Sequence, residues 1–143
     1  MLRERPGMPA RYLFSTVLDV RVGDTGFGGG LPARSLTAFI DEARLRFLKH
    51  YHYNEHDIEG LGLVTVDSRV VYRAGAFHGD YLQIEVSVGN FNRFGCDFFY
   101  LVSNRDTAVV VAEACCSAVF FDYQQGKTVS VPASFRETFI KDV

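Results

Sequence analysis

The chain has 143 residues, of which 48% are hydrophobic and 22% charged, with thirteen Phe, no Trp and a formal net charge of −2. That length and composition fit one domain with a real core and argue against disorder. A nearly neutral chain has no global field for a polyanion, so neither nucleic acid nor an anionic membrane surface is expected as a partner.

Residues 1–11 read as a tail in which Arg3, Glu4, Arg5 and Pro6 stand where a secretion signal would need an apolar segment. No apolar run approaches the roughly 20 residues that cross a bilayer, so a cytoplasmic protein is expected. From Tyr12 to Val22 the residues Phe14, Leu18, Val20 and Val22 share one parity, with Asp19 and Arg21 on the other, which predicts a half-buried strand. The stretch Gly23-Asp24-Thr25-Gly26-Phe27-Gly28-Gly29-Gly30-Leu31-Pro32 then interrupts it. Glycines there let the backbone approach a ligand closely. The helix start behind them offers unpaired N–H groups and a positive dipole end, a place suited to an oxyanion.

Pro32 suits a first helical position, and Leu36, Phe39, Ile40, Ala43, Phe47 and Tyr51 form one apolar stripe, so a helix is predicted from about Pro32 to His50. Glu42 and Arg46 are spaced for an ion pair on it. After a polar connection at 54–60, alternation predicts strands at Leu63–Tyr72, Tyr81–Gly89, Phe91–Ser103 and Ala108–Asp122. The turn-like stretches 104–107 and 123–127 predict that consecutive strands pair as an antiparallel meander. One helix of about five turns cannot cover both faces of five strands, so the sheet is expected to curl around it. A second subunit is then expected to bury what remains, including Val109, Val111, Val119 and Phe121 of the last strand. The fold class is α+β, with residues 12–143 as one domain.

Several segments, in order, resemble the hotdog-fold acyl-CoA thioesterases, in particular the 4-hydroxybenzoyl-CoA thioesterase branch, from about Phe14 to Phe139. Val20-Arg21-Val22-Gly23-Asp24-Thr25 is similar to the family's strand ending in an aspartate motif, and Phe39-Ile40-Asp41-Glu42-Ala43-Arg44 to its aromatic, acidic, Ala-Arg helix segment. Tyr72 to Asp80 is similar to a Tyr-x-x-Pro-Ala-x-x-Gly-Asp turn, with Gly75 for the proline. Phe91 to Gly95, Val119 to Asp122 and Val131-Pro132 match later landmarks. The resemblance implies a central helix wrapped by a curved antiparallel sheet, a homodimer or homotetramer, and hydrolysis of an acyl or aromatic acyl-CoA. The coenzyme A moiety belongs to the substrate, and no separate cofactor is implied. The branch usually reads Asp-x-Asp, its second carboxylate attacking the thioester or activating water; here that position is Gly26.

Thioester hydrolysis needs a base or nucleophile near the carbonyl carbon and donors where its oxygen becomes negative. The backbone N–H groups of Ala33 and Arg34 are the candidate donors, from the family position and from the free donors of any first helical turn. Asp24, retained from the motif, and Asp41, at the position where a second hotdog branch keeps its acid, are the candidate bases. Asp24 is equally read as ordinary turn chemistry. Asp41 and Glu42 lie about 100° apart on the helix, so only one can face a cleft fully. Gly26, Phe27, Gly29, Gly30 and His78 are candidate substrate contacts, and Arg93, with Lys127 and Arg136, the cations for coenzyme A phosphates.

His50, His52, Glu55, His56 and Asp57 are read as a surface segment, and no metal site is expected. Cys96, Cys115 and Cys116 are expected to be reduced and buried, the last two pointing to opposite faces of a strand. Two other readings stay open: a non-catalytic acyl-thioester or small-ligand binding protein that has lost its carboxylate at Gly26, and, ranked last, hydration or dehydration of an acyl chain.

Overall fold

Period-two alternation and the helical stripe dictate most of what is observed in the computed structural model, which describes residues 7–140. The strands are β1 (Phe14–Asp19), β2 (Gly62–Tyr72), β3 (Tyr81–Gly89), β4 (Gly95–Asn104), β5 (Val110–Asp122) and a short β6 (Lys127–Val129). The helices are α1 (Ala33–His50) and α2 (Ala133–Ile140), and a 3-10 turn spans Val22–Asp24. Every pairing is antiparallel, in the order β1-β3-β4-β5-β2, with β6 on the free end of β5.

The expected meander holds for β3, β4 and β5 but not for β2, which crosses to the far edge and pairs with β5 instead of its successor. The chain between β2 and β3 is too long for a tight hairpin and is tied elsewhere, Leu31 N donating to Ala76 O at 2.8 Å. The last long strand is therefore an inner strand between β4 and β2, and its Val111 is buried. Val109 falls just before the strand and is exposed.

Two boundaries differ from the sequence pattern for local reasons. Asn92 Oδ1 accepts from the amides of Phe94 and Gly95, a side-chain turn that delays β4 to Gly95. β1 stops at Asp19 because the chain turns into the 3-10 segment, which leaves Val22, expected inward, exposed.

The sheet's inner face carries Leu82, Ile84, Val86 and Val88 from β3, and Phe98, Tyr100 and Val102 from β4. β5 contributes the small residues Ala112, Ala114, Cys116 and Ala118. Against this face α1 buries Leu36, Phe39, Ile40, Ala43, Arg44, Phe47 and Leu48. Phe47 stacks edge-on to Phe98, Tyr51 and Phe14, and α2 closes the same end of the core with Phe135 and Phe139. Each such ring contributes roughly 1.5–3 kcal/mol of burial, so the packed helix face outweighs the exposed Glu42–Arg46 pair by far. All three cysteines are free; Cys96 and Cys116 are buried on the inner face, whereas Cys115 is only partly covered.

Candidate active site

The glycine-rich stretch folds into a tight loop in front of α1. Gly26 N donates to Gly30 O at 2.9 Å and Gly29 N to Gly26 O at 3.0 Å. Gly28 and Gly29 take φ of 89° and 84°, a region that β-carbons disfavour. A second turn, 77–80, packs beside this loop through a bridge between Gly30 and Phe77. Asp80 holds that turn by accepting from Phe77 N at 2.9 Å, and His78 stands exposed on it. The rings of Phe27 and Phe77 flank the loop in solvent.

Helix α1 begins directly behind. Its N-cap is Pro32, which has no side-chain acceptor, and no side chain caps the helix. The Pro32 carbonyl accepts from Ser35 N and Leu36 N, while Ala33 and Arg34 are exposed at the uncapped end. Ser35 Oγ donates to the main-chain oxygen of Asp24 at 2.6 Å, which fixes residue 24 against the first helical turn. The Asp24 carboxylate turns back, Oδ2 accepting from Arg21 N at 2.9 Å. A β-carbon at Gly26 would touch the Pro32 ring at 3.5 Å, an ordinary contact.

The candidate acids fall on two flanks of α1. On one side a groove of about 320 Å³ is lined by Asp19, Arg21, Asp24, Phe39, Glu42 and Arg46. There Arg46 binds Glu42 at 2.7 Å, as its spacing predicts, and also Thr16 Oγ1 at 2.8 Å. On the other side a cleft of about 430 Å³ runs between α1 and the β2 and β5 strands, with Thr37, Ile40, Asp41 and Arg44 along the helix wall.

Arg44 is buried at that cleft and divides its donors among three partners. Nε binds Glu55 Oε1 at 2.7 Å, one terminal nitrogen binds Asp41 Oδ1 at 3.1 Å, and the other reaches Tyr100 OH at 3.4 Å. Burial pushes the Tyr100 phenol up by more than Arg44 pulls it down, so Tyr100 meets the guanidinium as a neutral hydroxyl.

Asp41 lies seven positions beyond Arg34, on nearly the same helix face but about 10.5 Å along the axis. Within one chain it therefore cannot touch a carbonyl held by the Ala33 and Arg34 amides, whereas the main chain of Asp24 is tied to Ser35 in the first turn. Arg93 is elsewhere, on the β3–β4 connection over the Phe94 ring at 5.0 Å. The nine residues of β3, roughly 30 Å, separate it from the 77–80 turn. Arg136 is also at that end, bound to Asn92 O at 2.6 Å. Lys127 begins β6.

The helix ends at His50, so His52, at φ 66°, does not share a helical face with His56. Among the described residues no group of three His, Cys, Asp or Glu is placed to hold a metal. The Arg44–Glu55–Tyr100 network escaped sequence reasoning, although a signal existed: Arg44 falls four residues after Ile40, inside the apolar stripe.

The sequence matches the thioesterase-like superfamily over residues 20–139. Among curated proteins none matches it. Among solved structures, the 1,4-dihydroxy-2-naphthoyl-CoA thioesterase of Synechocystis superposes with a TM-score of 0.81 at 19% identity, covering 89% of this chain and 95% of that one. A thioesterase superfamily protein of Jannaschia sp. CCS1 superposes with 0.82 at 21% identity, covering 94% and 85%. A hypothetical protein of Aquifex aeolicus gives 0.80 at 23%, covering 89% and 99%. The sequence match begins just after β1 and takes in the glycine loop, α1 and the four long strands β2 to β5, and the superpositions show that those structures share the fold. The chain belongs to the thioesterase-like superfamily and has the hotdog fold.

Proposed function

We propose that the protein hydrolyses an acyl-CoA thioester to the free acid and coenzyme A. The observation that carries this reading is the uncapped start of α1, held beside the glycine loop with Asp24 tied to its first turn through Ser35. In this reading the thioester oxygen points at the Ala33 and Arg34 amides, and the acyl group follows α1 into the cleft past Thr37 and Ile40. A water gives its proton to the Asp24 carboxylate and its oxygen bonds to the carbonyl carbon. The C–S bond then breaks, and the departing thiolate takes up that proton. Superfamily membership supports the reaction class, and the name of the Synechocystis enzyme supports coenzyme A as carrier. Two copies are proposed to pair, with the pantetheine arm at their boundary.

A thiol-release assay across short, long and aromatic acyl-CoAs tests this. Asp24→Asn is expected to lower kcat by about 10²–10⁴-fold, the range of a general base, with little change in KM. Asp41→Asn is expected to change kcat less than Asp24→Asn, and the reverse ranking would move the base to Asp41. No thiol release from any acyl-CoA would overturn the hydrolase reading.

A second reading, an acyl-thioester binding protein without turnover, is favoured by one pair of facts: Gly26 carries no carboxylate, and Asp24 spends Oδ2 on Arg21 N. Gly26→Asp decides it, because a β-carbon there makes only ordinary contact with the Pro32 ring at the helix start. Activity that emerges only in this variant would identify a binding protein.

A further inference from the structure

The cleft beside α1 has the ring of one tyrosine, Tyr123, in its lining. Its helix wall runs from Thr37, one turn beyond Ala33, to Arg44, a span of about 10.5 Å. At the Arg44 end stands Glu55, whose side chain holds Arg44 and whose carbonyl accepts from Leu63 N at 2.9 Å. The start of β2 is thereby at that end, and Gly62 there pairs with Phe121. Tyr123, two residues on, lines the cleft together with Glu55 and His56.

Its ring rests on the Gly62 backbone. A β-carbon at Gly62 would overlap Tyr123 Cε2 and come within 3.1 Å of Cζ and of the hydroxyl oxygen. Phe121 meets the ring edge-on at 5.1 Å. Tyr123 is 64% exposed, so the ring is free to move away from Gly62 into solvent. Ile40, Leu63, Val64 and Val70 give the cleft apolar walls of the kind that methylenes fill.

We propose that Tyr123, seated on Gly62, is a specificity-determining residue that sets the longest acyl group the cleft accepts. This rests on the reading of the cleft as the acyl site. A chain entering from the helix start passes Thr37 and Ile40 and stops at the ring; without the ring it continues across Gly62 and out of the cleft.

The test uses the full chain and S-alkyl-CoA thioethers from butyl through octyl to hexadecyl, which cannot be hydrolysed, with binding measured by calorimetry. Wild type is expected to bind more tightly with length up to a limit and more weakly beyond it. Tyr123→Ala is expected to bind the longest thioethers roughly tenfold or more tightly than wild type, since each buried methylene is worth about fourfold. Gly62→Ala is expected to do the same by displacing the ring without deleting it, and Tyr123→Phe to keep the wild-type limit. Circular dichroism confirms that each variant is folded.

Identical length profiles in all four proteins, or no thioether binding by wild type, would overturn the inference. Hydrolysis of the matching acyl-CoAs is read separately. A length limit that moves with Tyr123 in a protein releasing no thiol keeps the inference and removes the hydrolase reading. Thiol release with an unmoved limit does the opposite.

Discussion

Arg44 is the one cation that α1 buries, and its cost is met by what surrounds it: Glu55 at 2.7 Å, Asp41 at 3.1 Å and the Tyr100 hydroxyl. Glu55 is itself largely covered, its side chain 14% exposed, so removing the guanidinium strands a carboxylate. Arg44→Met is expected to destabilise the fold by about 3 kcal/mol, the lower end for breaking a buried pair. Urea unfolding checks this, and adding Glu55→Leu should recover most of the loss because no orphaned charge remains. The thiols contribute to the loss of stability at high pH. Burial, with Asp97 next, pushes the Cys115 thiol up to about 11 from its ordinary 9.0. The unfolded thiol thus ionises first, the unfolded state binds fewer protons, and stability falls as pH rises from about 9 to about 11. Burial pushes Cys96 up as well, so it adds to the same slope. Unfolding midpoints measured through that window should decline, and Cys115→Ala should flatten the decline.

Helix α2 has only eight residues, too few to persist alone, and is held by its aromatic face. Phe139 touches Phe47, Tyr51, Tyr53 and Phe135, so it joins α2 to the last turns of α1. Phe139→Ala is expected to cost about 3–5 kcal/mol, read by chemical denaturation. A different constraint governs the first residue of β4. A β-carbon at Gly95 would overlap the Ala118 carbonyl oxygen, a backbone atom of β5 that cannot swing aside. Gly95→Ala should therefore break the β4–β5 register at its start and shift the expressed protein to the insoluble fraction. The contrast with Gly62 is physical, because there the obstructing atoms belong to a movable side chain.

The sheet has two outer strands, β1 and β2, and among the described residues no further strand pairs with β2, which is eleven residues long. Such an edge invites a further strand, and the proposed pairing of two copies would satisfy it. Sedimentation equilibrium is expected to return a dimer mass; a monomer at assay concentration would remove the subunit boundary from the proposed site. The elements were legible in the chain because each is a local pattern: the α1 stripe from Leu36 to Phe47 and the alternation of β3 depend only on the neighbours of each residue. The glycine loop could be placed before a helix for the same reason, since Pro32 and the run of glycines act within a few residues. Strand order was not legible, because what sends β2 to β5 is a crossover tied to Gly30 and Leu31, far along the chain. Helix α2, too short for its pattern to stand out, is specified by rings from α1. The division of the acids followed suit: helical spacing separates Asp41 from Glu42, but only the packed chain puts Asp24 against Ser35, Glu55 on Arg44 and Tyr123 in the lining of the cleft, because those contacts join residues well apart in the sequence.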